Sequence, residues 1–326
     1  MFFTKKDPST ITLNTLLKYS GNHAEKIDSS SILKYKDKLS NIFHASNNHG
    51  AIDIILPGFP YKSANTKSKV IGKLPDLGEE VALSRIEKMR KTLSKKLDRP
   101  VRFIICSDGF AFNDIKEIMD TDVLEYRTNL ISMTSIYPFV EIKSLHDLMS
   151  DVPSENRRVA LMSEFGTPIS DLKKCVNKDS TLSTLYNNLT IFARHDLEKH
   201  DKESKREFKL RCKDTALNVV ARSKAWSGLI AERYPNAIRL TIHPYNDVSD
   251  KFPISLLPSI DGRWRTPWHN APIITGSLPF NTTVKLAPKK DAENADATLG
   301  YKNNHPWCYT SVETKIMEET MMCNHL

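Results

Sequence analysis

The sequence predicts an α/β fold: a Rossmann-like open, mostly parallel sheet with helices on both faces, plus a helical cap and an irregular C-terminal region. Three observations carry that prediction. Four short apolar runs are bounded by turn residues, helix-period segments lie between and after them, and a long polar loop follows the first run directly. The strand runs are Ala51 to Leu56, Val101 to Cys106, Tyr137 to Ile142 and Ala237 to Ile242. Each is alternating or continuously apolar, as a half-buried or fully buried strand requires. Strands that alternate with helices imply crossover connections and hence a parallel sheet, although the pattern leaves the strand order open.

Taken in order, the clearest helix runs from Glu79 to Leu97, with Ala82, Ile86, Met89 and Leu93 on one stripe and the basic residues mostly opposite. Glu79 and Glu80 open it, where the helix dipole favours acids. A second long helix is expected from Lys205 to Glu232, with Phe208, Cys212, Ala216, Val219, Ser223, Trp226 and Ile230 at helical spacing, leading through Tyr234-Pro235-Asn236 into the Ala237 strand. Residues 153–205 read as helical and polar and form the expected cap. Beyond Asp247 the chain is rich in Pro, Asn and Thr, with β-like pieces at Pro253 to Leu257 and Thr282 to Leu286 and an exposed loop expected over 287–298. Residues 1–326 are taken as one domain with its α/β core at 50–270, and no internal repeat is present.

Composition narrows the function. Lys and Arg exceed Asp and Glu by 47 − 39 = +8, but no basic block is longer than the Lys-Lys pairs at 5, 95, 173 and 289, so nucleic acid is not the expected partner. The opening MFFTKKDPST lacks the apolar stretch of a signal peptide, and no run approaches the roughly 18 apolar residues of a membrane helix, so a cytoplasmic protein without membrane attachment is expected. The five cysteines (106, 175, 212, 308 and 323) form no CxxC pair, and Cys106 and Cys212 read as buried small hydrophobes. GxGxxG after the strands, GxxxxGK[ST], HExxH, GxSxG and EF-hand patterns are all missing, and His195 and His200 are five apart rather than four. Nucleotide, metal and serine-hydrolase mechanisms therefore have no support in the sequence.

Four segments carry chemistry. The first is the long loop after the first strand, LPGFPYKSANTKSKVIGKLPDLGE, where four lysines, Ser63 and Asn65 crowd between Pro and Gly residues at the strand end that binds ligands in open α/β sheets. Such a loop could hold a phosphate or carboxylate, and a desolvated lysine in it could act as a base. A solvated basic loop is the plain alternative. The second is CSDGFAFND, which places Ser107, Asp108 and Asp114 at the same sheet edge as possible proton carriers, or simply makes an Asp-Gly turn. The third joins Arg222 on the long helix to the last strand, where alternation puts Arg239, Thr241 and His243 on one face. His243 is either an acid/base group or a hydrogen-bonded histidine before Pro244. The fourth, Arg265-Thr266-Pro267-Trp268-His269-Asn270, is a substrate-closing cluster or a packing plug.

In this order and spacing, LPGFPYKSANTKSKVIGKLPDLGE, FIICSDGFAFND, AERYPNAIRLTIHP and TPWHN resemble the isocyanide synthase family, the PvcA-like proteins of pyoverdine and dityrosine biosynthesis. The resemblance spans about residues 50 to 270, with weaker similarity at HPWCY. It implies an enzyme that condenses the α-amino group of an aromatic L-amino acid, tyrosine or tryptophan, with ribulose 5-phosphate, whose keto carbon becomes the isonitrile carbon. No cofactor is implied beyond that co-substrate, and an Fe(II)/2-oxoglutarate oxygenase is the implied functional partner. Under the resemblance Lys62, Asp108, Asp114 and His243 are catalytic candidates. Ser63, Asn65, Lys69, Lys73, Arg85, Ser107, Arg222, Arg239, Trp268 and His269 are candidates for binding substrate or phosphate, with Trp268 and His269 closing the pocket. Two other readings stay open at this point: a dityrosine-type enzyme that delivers an N-formyl amino acid, and a non-enzymatic protein that binds nucleic acid or other anions.

Overall fold

The computed structural model describes residues 7–45, 50–245, 248, 250–276 and 282–311; Cys323 lies outside them. Helices α1 (Pro8–Tyr19) and α2 (Ser29–Ala45) precede strand β1 (Ile52–Pro57), and α3 (Leu77–Leu97) crosses to β2 (Val101–Ser107). The short α4 (Gly109–Phe112) and α5 (Asp120–Thr134) lead to β3 (Val140–Ser144), and α6 (Leu145–Leu148) follows. Next come α7 (Arg157–Phe165), α8 (Ile169–Val176), α9 (Ser180–Asp196) and α10 (Lys205–Arg233), then β4 (Ile238–Thr241) and β5 (Phe252–Pro253). These five strands form one parallel sheet in the order β3-β2-β1-β4-β5. The chain winds outward from β1 in one direction through β2 and β3, then returns to the other side of β1 as β4. That reversal places the β1 and β4 carboxyl ends at the switch point where such sheets bind ligands.

The sequence pattern accounts for these elements. β1 and β2 bury almost every side chain, and the two charged residues, Asp53 and Arg102, face each other in register and pair at 2.7 Å. Helix α3 buries Ala82, Ile86, Met89 and Leu93 as its stripe requires. In α10 the buried set is broader than one stripe, running through Cys212, Thr215, Leu217, Val220, Ala225, Trp226, Leu229 and Ile230. The breadth follows from its position: Trp226, Leu229 and Ile230 join the sheet core, whereas Leu217 and Val220 pack with Leu172 of α8 and Leu182 of α9. Cys106 and Cys212 are buried and free. Among the described residues no helix is long and apolar enough to cross a membrane.

The structure corrects four boundaries. The third strand starts at Val140, because Tyr137 and Val140 donate their backbone N–H groups to Thr134 and Tyr137 and close a turn after α5. The strand expected from Pro253 ends there, since the Ser255 N–H goes to the Tyr19 carbonyl of α1. The C-terminal region is not irregular. It forms a second, four-stranded sheet in the order β7-β6-β9-β8 from β6 (Ala271–Thr275), β7 (Thr283–Ala287), β8 (Thr298–Lys302) and β9 (His305–Thr310). Nor is 287–298 an exposed loop: it contains α11 (Lys289–Asn294), whose Ala292 is buried against Ala287 and Tyr309. The start of α11 is docked on the long loop after β1, for Lys289 and Lys290 donate backbone N–H groups to Lys69 and Ser68, and the Lys289 ammonium reaches the Thr66 carbonyl at 2.9 Å.

That loop, residues 58–76, is fixed from inside by Lys62. Its side chain is wholly buried, with Nζ 2.7 Å from Asp76 Oδ2, 2.7 Å from Glu79 Oε2 and donating to the Pro267 carbonyl at 3.1 Å. Burial alone would lower the lysine pKa, but the two carboxylates outweigh it and raise it. Asp76 is pushed well up by burial and by the neighbouring Glu79, with Lys62 opposing. The same two acids close the capping box that starts α3, and Glu79 also accepts from the Tyr126 hydroxyl at 3.1 Å. All three ammonium donors of Lys62 are thus engaged, so the sequence assignment of Lys62 to catalysis is replaced by one to positioning.

The loop begins under constraint. Phe59 adopts φ 55°, a left-handed conformation that a bulky side chain seldom takes, held by the Ser107 hydroxyl on its carbonyl at 2.9 Å and by the Trp268 ring 4.9 Å away. The turn after β2 then packs directly on the loop. A Cβ added at Gly109 would lie 2.3 Å from the Pro60 carbonyl oxygen and 2.7 Å from Val123 Cγ1. Gly109→Ala is therefore expected to cost about 2–3 kcal/mol in denaturant unfolding, whereas Gly72→Ala, with nothing within 4 Å of its added Cβ, should stay within about 0.5 kcal/mol of the parent.

Candidate active site

The loops behind β1 and β2 and the segment before β6 converge with the end of α9. Asp196, the last residue of α9, forms the centre. Its Oδ1 accepts from the Ser63 hydroxyl at 2.5 Å and from the Lys69 ammonium at 2.9 Å, and lies 3.8 Å from His269 Nδ1; Lys116 Nζ stands 3.7 Å from Oδ2. Phe192, one helical turn earlier, completes the group. The Lys69 and Lys116 ammonium groups lie 4.3 Å and 4.7 Å from the centre of its ring, and the His269 ring meets it edge-on at 4.9 Å. Asn65 ties the loop to the same helix by donating to the His195 carbonyl at 2.8 Å.

The charges here are coupled. Burial alone would raise the Asp196 pKa; His269, Lys116, Lys69 and the Ser63 hydroxyl outweigh it and hold the carboxyl below its usual range. His269 is itself pushed down to about 3, mainly by burial and also by Lys69 and Lys116, against the pull of Asp196. Its imidazole is therefore neutral near pH 7, and the two lysines and Ser63 keep Asp196 ionised there. His269 Nδ1 has no hydrogen-bond partner among the described residues. The Lys116 ammonium is lowered, first by burial.

Asp108 stands at the carboxyl end of β2 in the sparsely populated bridge region, φ −91° and ψ 11°. Its Oδ1 is buried without a hydrogen-bond partner among the described residues, and burial raises its carboxyl to about 7. The buried Tyr61 hydroxyl links the two acids electrostatically: burial raises its pKa well above the ordinary value, and Asp196, Asp108 and Asp114 add to the effect. A carboxyl poised near neutrality, which shares the neighbouring Tyr61 with an ionised carboxylate, is suited to moving protons on a bound polar substrate.

A second basic group lies on the β4 side. Arg239 donates to the Ser227 carbonyl and hydroxyl at 3.0 Å and 2.8 Å and to Asp250 Oδ2 at 3.2 Å. Lys251 donates to the same Ser227 hydroxyl at 2.8 Å, and burial and Arg239 bring its ammonium down to about 8, with Asp250 opposing. His243 is open to solvent yet ringed by protein, which with the Lys251 charge pushes its imidazole down to about 4. Its backbone N–H donates to the Thr241 hydroxyl.

Several sequence candidates lie elsewhere. Lys73 is an exposed partner of Asp122 at 2.9 Å, and Arg85 braces α3 by donating to the Ser255 carbonyl at 3.2 Å and covering the Tyr19 ring. Asp114 is exposed and neutralised by Arg222 at 3.3 Å, while Arg222 also holds the Ala111 carbonyl at 2.8 Å, so this pair supports the turn after β2. Ser107 is spent on the Phe59 carbonyl, and Trp268 is buried against Phe59 with its carbonyl accepting from the Ser63 N–H at 2.8 Å. Trp268 is therefore a packing plug. Conversely, Asp196, Lys116, Phe192 and Lys251 have no motif to announce them, and Tyr61 lies in the first segment but is not one of the sequence candidates. Asp196 sits within ARHDLEKHD, a polar stretch in which no spacing separates it from its exposed neighbours.

Comparison with known proteins places this geometry. The family described as pyoverdine/dityrosine biosynthesis protein matches residues 42–299. An L-tryptophan isonitrile synthase from Fischerella ambigua is 33% identical over 274 residues, covering 81% of this chain and 80% of that protein. An L-tyrosine isonitrile synthase from Xenorhabdus nematophila is 29% identical over 329 residues, covering 96% and 94% respectively. The crystal structure of PvcA from Pseudomonas aeruginosa superposes with a TM-score of 0.81 at 24% identity, over 94% of this chain and 100% of that one, a likeness of fold. Because the family match takes in all five strands of the parallel sheet and every loop that lines their carboxyl ends, the chain belongs to the pyoverdine/dityrosine biosynthesis protein family and is an enzyme.

Proposed function

We propose that the enzyme is an isonitrile synthase that joins the α-amino group of an aromatic amino acid, tryptophan or tyrosine, to ribulose 5-phosphate. The names of its relatives support the reaction class and the amino-acid class. The observation that carries the mechanism is Asp108, whose buried Oδ1 has no hydrogen-bond partner among the described residues and whose carboxyl is raised to about 7 at the sheet edge. The amine adds to the sugar's keto carbon and water leaves to give an imine. The isonitrile carbon is bonded only to nitrogen, so both carbon–carbon bonds at the former keto carbon must then break: one fragment leaves as an aldehyde, its hydroxyl deprotonated and its bonding pair left on that carbon, and the other leaves with its bonding pair and takes up a proton, so that no external oxidant is needed. A carboxyl with a pKa near the working pH can do both. Lys69 and Lys116 favour anionic groups on one side, and Arg239, Lys251 and His243 offer a phosphate subsite on the other. The proposal assigns the chain no resident cofactor, and it leaves the product to an Fe(II)/2-oxoglutarate oxygenase as a separate partner.

Incubation with tryptophan or tyrosine and ribulose 5-phosphate labelled at carbon 2 is expected to give a labelled isonitrile by mass spectrometry. A labelled product one water heavier would instead assign N-formyl chemistry, and no labelled product would reject the reaction. If Asp108 is the base, kcat/KM should rise with pH through about 7, because the carboxylate is the active form. His243 and His269, down at about 4 and about 3, are already neutral there and contribute no such limb. Asp108→Asn should lower kcat by about 10²–10⁴ and abolish the limb, which a pH–rate profile reads directly.

A further inference from the structure

On the isonitrile-synthase reading, we infer that Asp196, Lys69 and Lys116 form the subsite for the amino acid's head group, with Asp196 taking the amine and the two lysines taking the carboxylate. The argument begins with the two oxygens of Asp196. Oδ1 is occupied by the Ser63 hydroxyl and the Lys69 ammonium, whereas Oδ2 meets Lys116 at 3.7 Å, beyond a hydrogen bond. Oδ2 therefore keeps acceptor capacity for an incoming N–H. Lys116 is in the complementary state. Its side chain is only 11% exposed, and its ammonium has the distant Asp196 oxygen and the Phe192 ring for company. A desolvated ammonium in that position gains most from a carboxylate that comes within hydrogen-bond reach.

Charge sorts the two substrates. Two ammonium groups, one carboxylate and a neutral imidazole give the group a charge of +1. An amino acid presents a carboxylate to the lysines and N–H donors to Asp196, so every charge meets its opposite. A phosphate would meet the lysines but face the ionised Asp196 carboxylate, to which it brings no donor. In the other group Arg239, Lys251 and Lys38 surround the single Asp250 carboxylate, a charge of +2, and the remaining partner, Ser227, is neutral, so that group suits an anion better. The subsite also spans two parts of the fold: Asp196 and Phe192 come from α9, Lys69 from the β1 loop and Lys116 from the segment after α4. Binding of the amino acid would therefore fasten the helical layer to the sheet edge.

The test is a binding cycle by isothermal calorimetry with L-tryptophan, tryptamine, indole-3-propionate and ribulose 5-phosphate, on the parent, Lys116→Met and Asp196→Asn. Lys116→Met should weaken L-tryptophan by about tenfold or more while changing tryptamine, which lacks the carboxylate, by less than about twofold. Asp196→Asn should weaken L-tryptophan similarly but leave indole-3-propionate, which lacks the amine, nearly unchanged. Ribulose 5-phosphate should bind all three proteins alike. Equal losses across the tryptophan series, or losses confined to ribulose 5-phosphate, would overturn the assignment. Lys116→Met alone keeps the test decisive if Asp196→Asn does not fold. A parent that makes labelled isonitrile but fails the cycle loses only the subsite, whereas a parent that makes none loses the reaction itself.

Discussion

The buried contact of one lysine with two acids, Lys62 with Asp76 and Glu79, is the constraint on which the rest of the site depends. It joins the start of a loop to the first turn of the helix that follows it, and the third ammonium donor carries the connection to Pro267. Residues 63–69 are suspended between these anchors and the backbone bonds from α11. The positions of Ser63, Asn65 and Lys69 against α9 are therefore inherited from a group that never touches solvent. Taking three ionisable groups out of water is expensive, and a mutual arrangement with every donor used is what makes it tolerable. The cost is consistent with a role in specifying one loop conformation rather than adding stability.

Around that anchor the protein separates its charges by task. Asp76 and Glu79 are spent on structure, Asp196 is held ionised by lysines, and Asp108, whose Oδ1 has no hydrogen-bond partner among the described residues, is pushed toward neutrality. Three environments thus give carboxyl groups of the same chemistry three different behaviours within one set of loops. His269 follows the same logic in reverse, since burial keeps it neutral and available as a hydrogen-bonding ring.

The central part of this was legible from sequence because it rests on local pattern. Apolar runs located β1, β2 and β4, the stripe of Ala82, Ile86, Met89 and Leu93 located α3, and a loop of that length behind a first strand marked the site. The charged residues within the loop were legible as a group, but their division of labour was not. Lys62 and Lys69 are seven residues apart in one basic run, and only the tertiary placement of Asp76, Glu79 and Asp196 makes the first an internal anchor and the second a site residue. Asp196 was hidden for the same reason, since its partners come from three distant segments. The second sheet was hidden because its strands are short and its pairing long-range: β6 finds β9 only after β7, α11 and β8 have intervened. Arg222 and Asp114 show the opposite error, in which residues with the right chemistry at the right edge neutralise each other.

The claim that Lys62 holds the site-forming loop is tested most directly by hydrogen–deuterium exchange on Lys62→Met and the parent, read peptide by peptide. Methionine keeps the bulk of the side chain but leaves Asp76 and Glu79 without their cation, a loss of about 3 kcal/mol or more by analogy with other broken buried pairs. The account predicts that amides of residues 58–76 and the end of α9 exchange about a hundredfold faster, while β1, β2 and β3 keep their protection. Unchanged protection of the loop would show that the Lys62 contact is incidental to its conformation, and would contradict the account at its base.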